Sequence, residues 1–227
     1  MNWKTFWDLQ GQQKTNQQEQ VGRISKGKIV DEATFEKIIL SIYSYLKPQP
    51  SDIVVDVCCG NGLITERLAK DCKQVFGIDQ SEILIKNAKG NPHAKAVYFV
   101  GDAFHMSKII NEKPNKILLY FSFQYFDTYK KGESVVAEMV NLLTPGGQIF
   151  IGDIPDEERK NVFYNSFKKK ILLIIDNLRG TNSMGKFWNK NELNAICARL
   201  GVKGQYFQQP SELPFSHYRF DFLITKS

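Results

Sequence analysis

The chain has 227 residues, 42% of them apolar, and a formal net charge of +6. That length suits one domain, or one domain with a small cap, and leaves enough apolar residue for a full core. No apolar run approaches a membrane span, and Met1-Asn2-Trp3-Lys4 leads into polar sequence, which argues against a signal peptide. Cys58, Cys59, Cys72 and Cys197 form neither a C-x-x-C pair nor a zinc spacing, so reduced thiols, no metal and a cytoplasmic location are expected.

Residues 1–30 read as a separate N-terminal arm. Trp3, Phe6 and Trp7 stand at helical spacing, and the Gln-rich stretch Gln10 to Gln20 leads into Gln20-Val21-Gly22-Arg23. An aromatic cluster beside a polar segment can be a loose arm or a lid that orders over a ligand. Asp31 to Leu46 is an amphipathic helix, with Phe35, Ile38, Ile39, Ile42 and Leu46 on one face, stopped before Pro48 and Pro50.

The centre of the sequence is Asp52-Ile53-Val54-Val55-Asp56-Val57-Cys58-Cys59-Gly60-Asn61-Gly62, followed by a helical pattern from Leu63 to Asp71. An apolar β-branched run that turns on glycines into a helix brings bare backbone N–H groups to a ligand at the positive helix end. A dinucleotide fingerprint would carry a third glycine where Thr65 stands. Asp56 would repel a pyrophosphate and suits a ligand that carries an ammonium group.

Gln74 to Asp79 is the second strand, and its terminal carboxylate can accept two hydrogen bonds from a ribose diol. Ser81 caps the next helix. Ala96 to Phe104 holds the third strand and its exit, with Asp102 and Ala103 just past the strand. Lys116 to Phe121 is the fourth strand, and its exit, Ser122-Phe123-Gln124-Tyr125-Phe126, is rich in aromatic residues. A helix through Val135, Val136, Met139 and Leu143 leads to Thr144-Pro145-Gly146-Gly147, and Gln148 to Asp153 is the fifth strand. Asp156 to Leu178 reads as one long helix whose Lys168-Lys169-Lys170 run suits a solvated face. Arg179 to Gly185 is a flexible loop and a candidate second gate. A helix from Asn191 to Leu200 and strands near Gly204 to Gln208 and Tyr218 to Thr225 complete the chain.

The alternation of strands and helices predicts an α/β fold, with ligands beyond the carboxyl ends of the strands. The Asp56-to-Gly62 turn, Asp79, Asp102-Ala103 and the Leu-Thr-Pro-Gly-Gly turn resemble the motifs of the class I S-adenosylmethionine (SAM)-dependent methyltransferases, with Cys58 where the pattern has its first glycine. That resemblance covers about residues 51–155 by motif and the tail by topology. It implies a Rossmann-like, seven-stranded, mostly parallel sheet with helices on both faces and an antiparallel edge strand. Residues 31–227 would form the domain, 1–30 an arm or lid, and 156–190 a candidate substrate cap.

The resemblance further implies SAM as cofactor, S-adenosylhomocysteine as product, and a cofactor site of Arg23, Asp56, Cys58, Gly60, Asn61, Gly62, Asp79, Gln80, Asp102, Ala103, Tyr120 and Phe121. Arg23 suits a carboxylate. His217, Tyr125 and Asp153 are candidates for the catalytic side, and aromatic faces there can stabilise a sulfonium. The expected reaction is O- or N-methylation of a small polar acceptor, a sugar or an anionic precursor. An RNA or other nucleic-acid methyltransferase and a noncatalytic SAM-binding module are the alternatives. The absence of a basic stripe with interleaved aromatics argues against nucleic acid as a partner.

Overall fold

The computed structural model describes residues 2–25, 27–90, 92–179 and 184–227. Seven strands form one sheet: β1 (Ile53–Val57), β2 (Gln74–Asp79), β3 (Ala96–Val100), β4 (Lys116–Tyr120), β5 (Gln148–Pro155), β6 (Lys203–Gln208) and β7 (Arg219–Thr225). Their spatial order is β3-β2-β1-β4-β5-β7-β6. β1 to β5 pair in parallel, whereas β7 runs antiparallel to both β5 and β6. The order reverses between β1 and β4, so their exits open the crevice that an α/β sheet uses for ligands.

Seven helices of eight residues or more surround the sheet among the described residues: α1 (Trp3–Gln13), α2 (Glu32–Leu46), α3 (Leu63–Asp71), α4 (Glu82–Lys89), α5 (Tyr129–Leu142), α6 (Phe167–Arg179) and α7 (Lys190–Leu200). Strand side chains alternate between two cores, as the two-residue period requires. Val55, Val57, Ile117, Leu119, Ile149 and Ile151 pack against α5 and α7, through Val135, Met139, Leu193 and Ile196. Val54, Leu118 and Phe150 face α2, α3 and α4, through Phe35, Ile42, Leu68 and Ile85. Asp56, Tyr120, Arg219 and Asp221 keep the register of this second face.

Local signals explain most boundaries. Asp31 and Ser81 accept from backbone N–H groups as N-caps of α2 and α4, each satisfying a donor the helix cannot. Lys47 turns left-handed at φ 46° and closes α2 before Pro48. The segment from Asp156 onward departs from the single helix that its sequence predicts. A short 3-10 turn (Glu157–Arg159) runs into a four-residue helix (Lys160–Phe163), and α6 restarts at Phe167. Tyr164 is buried in an aromatic cluster, and the Ser166 hydroxyl accepts from Lys169 N. An anchored Tyr and a Ser cap compete with helix continuation there. The Arg179–Gly185 loop lies, at 180–183, outside the described residues.

The N-terminal arm is docked. The Asp8 carboxylate accepts from the Ser81 hydroxyl at 2.6 Å, the Gly11 carbonyl accepts from Asn87 Nδ2 at 3.0 Å, and Lys4 pairs with Asp8 and Glu82. Gly11 lies so close to Leu84 that a Cβ would stand 2.9 Å from it. A single turn, Gln17–Gln20, then lays its Gln17 carbonyl and the Gln20 side chain against Asn61 Nδ2, at 2.9 and 2.8 Å.

Gly62 is the N-cap of α3 at φ +83°, and a Cβ there would meet the Tyr98 hydroxyl at 2.6 Å. That hydroxyl is held by Glu66 on α3. Left-handed strain and the clash act together, so Gly62→Ala is expected to cost about 2 kcal/mol or more. Urea unfolding would register the loss as a lower midpoint, and an unchanged midpoint would contradict it.

Candidate functional site

A cavity of about 290 Å³ opens at the carboxyl ends of β1, β2, β3 and β4 and is roofed by the N-terminal arm. Its walls include Trp3, Trp7, Val21, Arg23, Asp56, Cys58, Gly60, Asn61, Asp79, Gln80, Asp102, Ala103, Phe104, Tyr120, Phe121, Ser122 and Tyr125. Twelve of the fifteen side chains singled out in the sequence thus meet in one place: Arg23, Asp56, Cys58, Gly60, Asn61, Asp79, Gln80, Asp102, Ala103, Tyr120, Phe121 and Tyr125. Gly62 lies beneath the turn, against Tyr98. Asp153 and His217 lie outside the cavity lining.

Each wall group is set by its strand. Asp56 is buried and accepts from the Thr65 hydroxyl at 2.6 Å. Burial pushes its carboxyl up to about 7, against the pull of Thr65 and Arg23. Asp79 accepts from Gly60 N at 2.9 Å and from Ser81 N at 2.8 Å, one on each oxygen, which fixes its rotamer across the glycine turn. Burial raises it, and those two backbone bonds oppose the shift. Asp102 accepts from Phe104 N at 3.0 Å and turns the chain into the 3-10 segment Ala103–Lys108.

Arg23 reaches the same space from the arm. Its guanidinium is buried, stacks at 5.0 Å over Phe35, and has only a 3.5 Å contact to Gln18 Oε1. No carboxylate lies within 4 Å of it among the described residues. Burial works against its charge, and Tyr120, Asp153 and Asp56 oppose that loss. Asn61 Oδ1 is likewise buried without a hydrogen-bond partner.

The arm's aromatic cluster closes onto the exit of β4. Trp3 lies 4.3 Å and Trp7 5.8 Å, centroid to centroid, from Tyr125. Burial pushes the Tyr125 phenol up to about 12, so it remains neutral at physiological pH. Val21 covers Gly60, where a Cβ would stand 2.8 Å from its Cγ1. At the exits of β1 and β4, and within β5 where its pairing with β7 shifts register, a residue other than glycine turns left-handed: Cys58 at φ 58°, Phe121 at 64° and Asp153 at 60°.

Known proteins resemble this chain in sequence over its central part and in fold over most of its length. Residues 54–147 match a family described as a methyltransferase domain. The stretch from β1 to the turn before β5 is thus similar in sequence to a methyltransferase domain. A ubiquinone biosynthesis O-methyltransferase of Bordetella bronchiseptica is 26% identical over 150 residues, which cover 66% of this chain and 61% of that protein. The chain thus spans less than two thirds of the length of such curated relatives. The structure of a magnesium protoporphyrin IX methyltransferase from Synechocystis with bound S-adenosylhomocysteine superposes with a TM-score of 0.64 at 14% identity, over 86% of this chain and 84% of that one. An N-methyltransferase from Bradyrhizobium japonicum, in complex with S-adenosylhomocysteine, superposes with a TM-score of 0.60 at 16% identity, over 100% of this chain and 99% of that one. These likenesses carry the fold.

Beside this cavity lies a buried polar group that sequence reasoning found only at Asp153. Asp221 Oδ1 accepts from Asp153 N at 2.8 Å and from Gln209 Nε2 at 2.8 Å, while Gln209 also donates to Asp153 Oδ1 at 3.1 Å. Arg219 donates to the Asp153 carbonyl and stands 3.4 Å from its carboxylate. The guanidinium is enclosed by the rings of Phe121, Tyr218 and Phe215, at 4.6, 5.1 and 5.5 Å. The signal for this group was present in Arg219-Phe220-Asp221-Phe222. Two charges at alternate positions of a strand flanked on both sides cannot reach water. His217 is exposed, edge-on to Tyr218 at 4.8 Å.

Burial pushes the Asp221 carboxyl up to about 7, far above the ordinary range near 4. Between those values the folded protein holds a proton that the unfolded chain has released, so stability falls as pH rises through that window. Asp221→Asn cannot titrate. The melting temperature of the wild type, relative to this variant, should therefore fall as pH rises from about 4 to about 7. A gap independent of pH would contradict the assignment.

Proposed function

We propose that this protein transfers a methyl group from SAM to an oxygen or nitrogen of a small polar acceptor. The observation that carries the reading is the cavity itself, where Asp56, Asp79 and Asp102 at three strand ends converge with Arg23 from the arm. These donor and acceptor types fit the cofactor. Arg23 would take its carboxylate, Asp56 its ammonium group, Asp79 the ribose hydroxyls, and Asp102 with the Ala103 backbone the adenine. Cys58, Gly60, Asn61, Gly62 and Gln80 would form the cradle, with Tyr120 and Phe121 at the end toward the methyl. Burial keeps the Cys58 thiol neutral, so it contributes a small, unreactive wall.

Bound SAM supplies a methyl already activated by its sulfonium. What remains for the chain is to hold the acceptor in line and keep water out. Tyr125, half-buried beneath Trp3 and Trp7, is a neutral donor and an aromatic wall rather than a base. Asp153 is occupied by Arg219 and Gln209, and His217 is at the surface, so both stand outside the cavity lining. Positioning by the aromatic wall is the reading these placements favour. A cavity of about 290 Å³ closed by aromatics, with Lys131 at its rim, suits a small polar molecule better than a polynucleotide.

Asp79→Asn, which keeps the side-chain shape, should weaken SAM binding by about 1.5–3 kcal/mol in calorimetry, through lost charge-assisted bonds. Unchanged affinity would sink the cofactor assignment. Transfer of a labelled methyl from SAM into a pool of host metabolites tests the acceptor. Tyr125→Ala should lower that transfer about tenfold or more, with SAM affinity near wild type, while His217→Ala leaves it intact. Efficient labelling of RNA with none of small molecules would overturn the acceptor class.

A further inference from the structure

The helix α6, Phe-Lys-Lys-Lys-Ile-Leu-Leu-Ile-Ile-Asp-Asn-Leu-Arg, is docked the opposite way from an ordinary surface helix. Surface helices bury their apolar stripe. Here Phe167, Ile171, Ile174 and Leu178, spaced i, i+4, i+7 and i+11, form one stripe, and Leu172 and Ile175 widen it. All six face solvent, Phe167 at 78% and Leu178 at 82% exposure. The side toward the protein is narrow. Leu173 packs on the aromatic cluster of Phe163, Tyr164, Phe187, Phe215 and Tyr218, Lys169 Nζ lies 4.0 Å from the Phe163 ring centroid, and Asp176 is buried.

The charges around the stripe identify what covers it. At 100° per residue, Lys168 and Lys170 fall on either side of the narrow Phe167–Ile171–Ile174–Leu178 stripe, Lys168 between Ile175 and Leu172, where their stems can lie along the apolar side chains and their ammonium groups reach outward. Asp176, the single acidic residue of α6, is buried on the side toward the protein. A second copy of the chain laid on this face would bring further cations from its own α6 and no exposed carboxylate from it. A surface of anionic phospholipid answers both features, taking the apolar stripe into its acyl boundary and the lysines at its headgroups. With about 1.5 Å of rise per residue, the helix is roughly 20 Å long, too short to span a bilayer, so it would lie in the plane.

We propose that α6 seats the protein on the surface of an anionic phospholipid bilayer. This rests on the helix alone and does not depend on the identity of the acceptor. The aromatic cluster beneath α6 also packs against Phe121 of the cavity wall, so the bilayer would lie on the side of the site where that wall stands.

The test is co-sedimentation of the full chain with vesicles of phosphatidylcholine alone or of phosphatidylcholine with phosphatidylserine. Wild type should pellet with the serine-containing vesicles and remain largely in solution with the others. Lys168→Gln with Lys170→Gln should weaken that partition about thirtyfold, at roughly 1 kcal/mol per lysine, and Ile174→Glu should abolish it. Both variants change exposed side chains, and a melting curve like that of wild type establishes that they are folded. Failure of wild type to pellet with either vesicle, or pelleting unaffected by Ile174→Glu, would overturn the proposal. So would a dimer in sedimentation velocity that Ile174→Glu dissolves, because the second copy would then be the occupant. Loss of SAM binding in a separate experiment would bear on the methyl-transfer reading and not on this one.

Discussion

A row of buried carboxylates at one edge of the sheet is the constraint to which the surrounding structure responds. Asp56, Asp79, Asp153 and Asp221 sit at or near strand ends with almost no access to water. Charge in such a place is costly unless hydrogen bonds or opposite charges compensate it. Each carboxylate has a different answer. Asp79 takes two backbone N–H groups and so ties the exit of β1 to the exit of β2. Asp56 takes a hydroxyl from α3 and lies in the field of Arg23. Asp153 has Arg219, and Asp221 retains a proton up to about pH 7. The glycine turn, the arm and the last strand are thus connected through acids that none of them could bury alone.

The left-handed residues at the exits of β1 and β4 and at the register shift of β5 belong to the same picture. A side chain other than glycine costs about 1–2 kcal/mol in that conformation, and such strain gathers where backbone must turn sharply around a site. Cys58 and Phe121 turn at the cavity wall, and Asp153 turns where β5 changes register against β7. Asp153 offers its own N–H to Asp221. The sheet edge is therefore shaped by backbone geometry as much as by side chains, and Gly152 beside it leaves room for the Tyr120 ring.

Much of this was legible in the order of residues, because the features are local. The strand–turn–helix from Asp52 to Asp71 announces itself in consecutive residues, and Asp79 and Asp102 stand at predictable strand ends. The caps Asp31 and Ser81 mark their helices in the same way. What the sequence conceals depends on distant partners. Trp3, Phe6 and Trp7 reveal a cluster that needs a surface, but nothing in them names Tyr125, over a hundred residues away. The Asp153–Gln209–Arg219–Asp221 group joins three separated segments, so only the misplaced charges in a buried strand hint at it. The break at Tyr164 escaped because apolar spacing continued through it, whereas the decisive event was burial of one tyrosine against Phe187 and Phe163. The lysine run of α6 suits a solvated face when read alone, and acquires another meaning once six apolar neighbours are found facing outward.

The central claim is that the arm and the strand ends together enclose SAM. The arm's docking through Asp8 to Ser81 and through Gln17 and Gln20 to Asn61 gives it a defined closed position, and ligand contacts by Arg23 would add to that closure. Amide hydrogen exchange of the full chain, with and without S-adenosylhomocysteine, measures this directly. The account predicts slower exchange on binding both in residues 3–25 and in the turn from Asp56 to Glu66. Identical exchange in the arm with and without ligand, while the turn is protected, would contradict it.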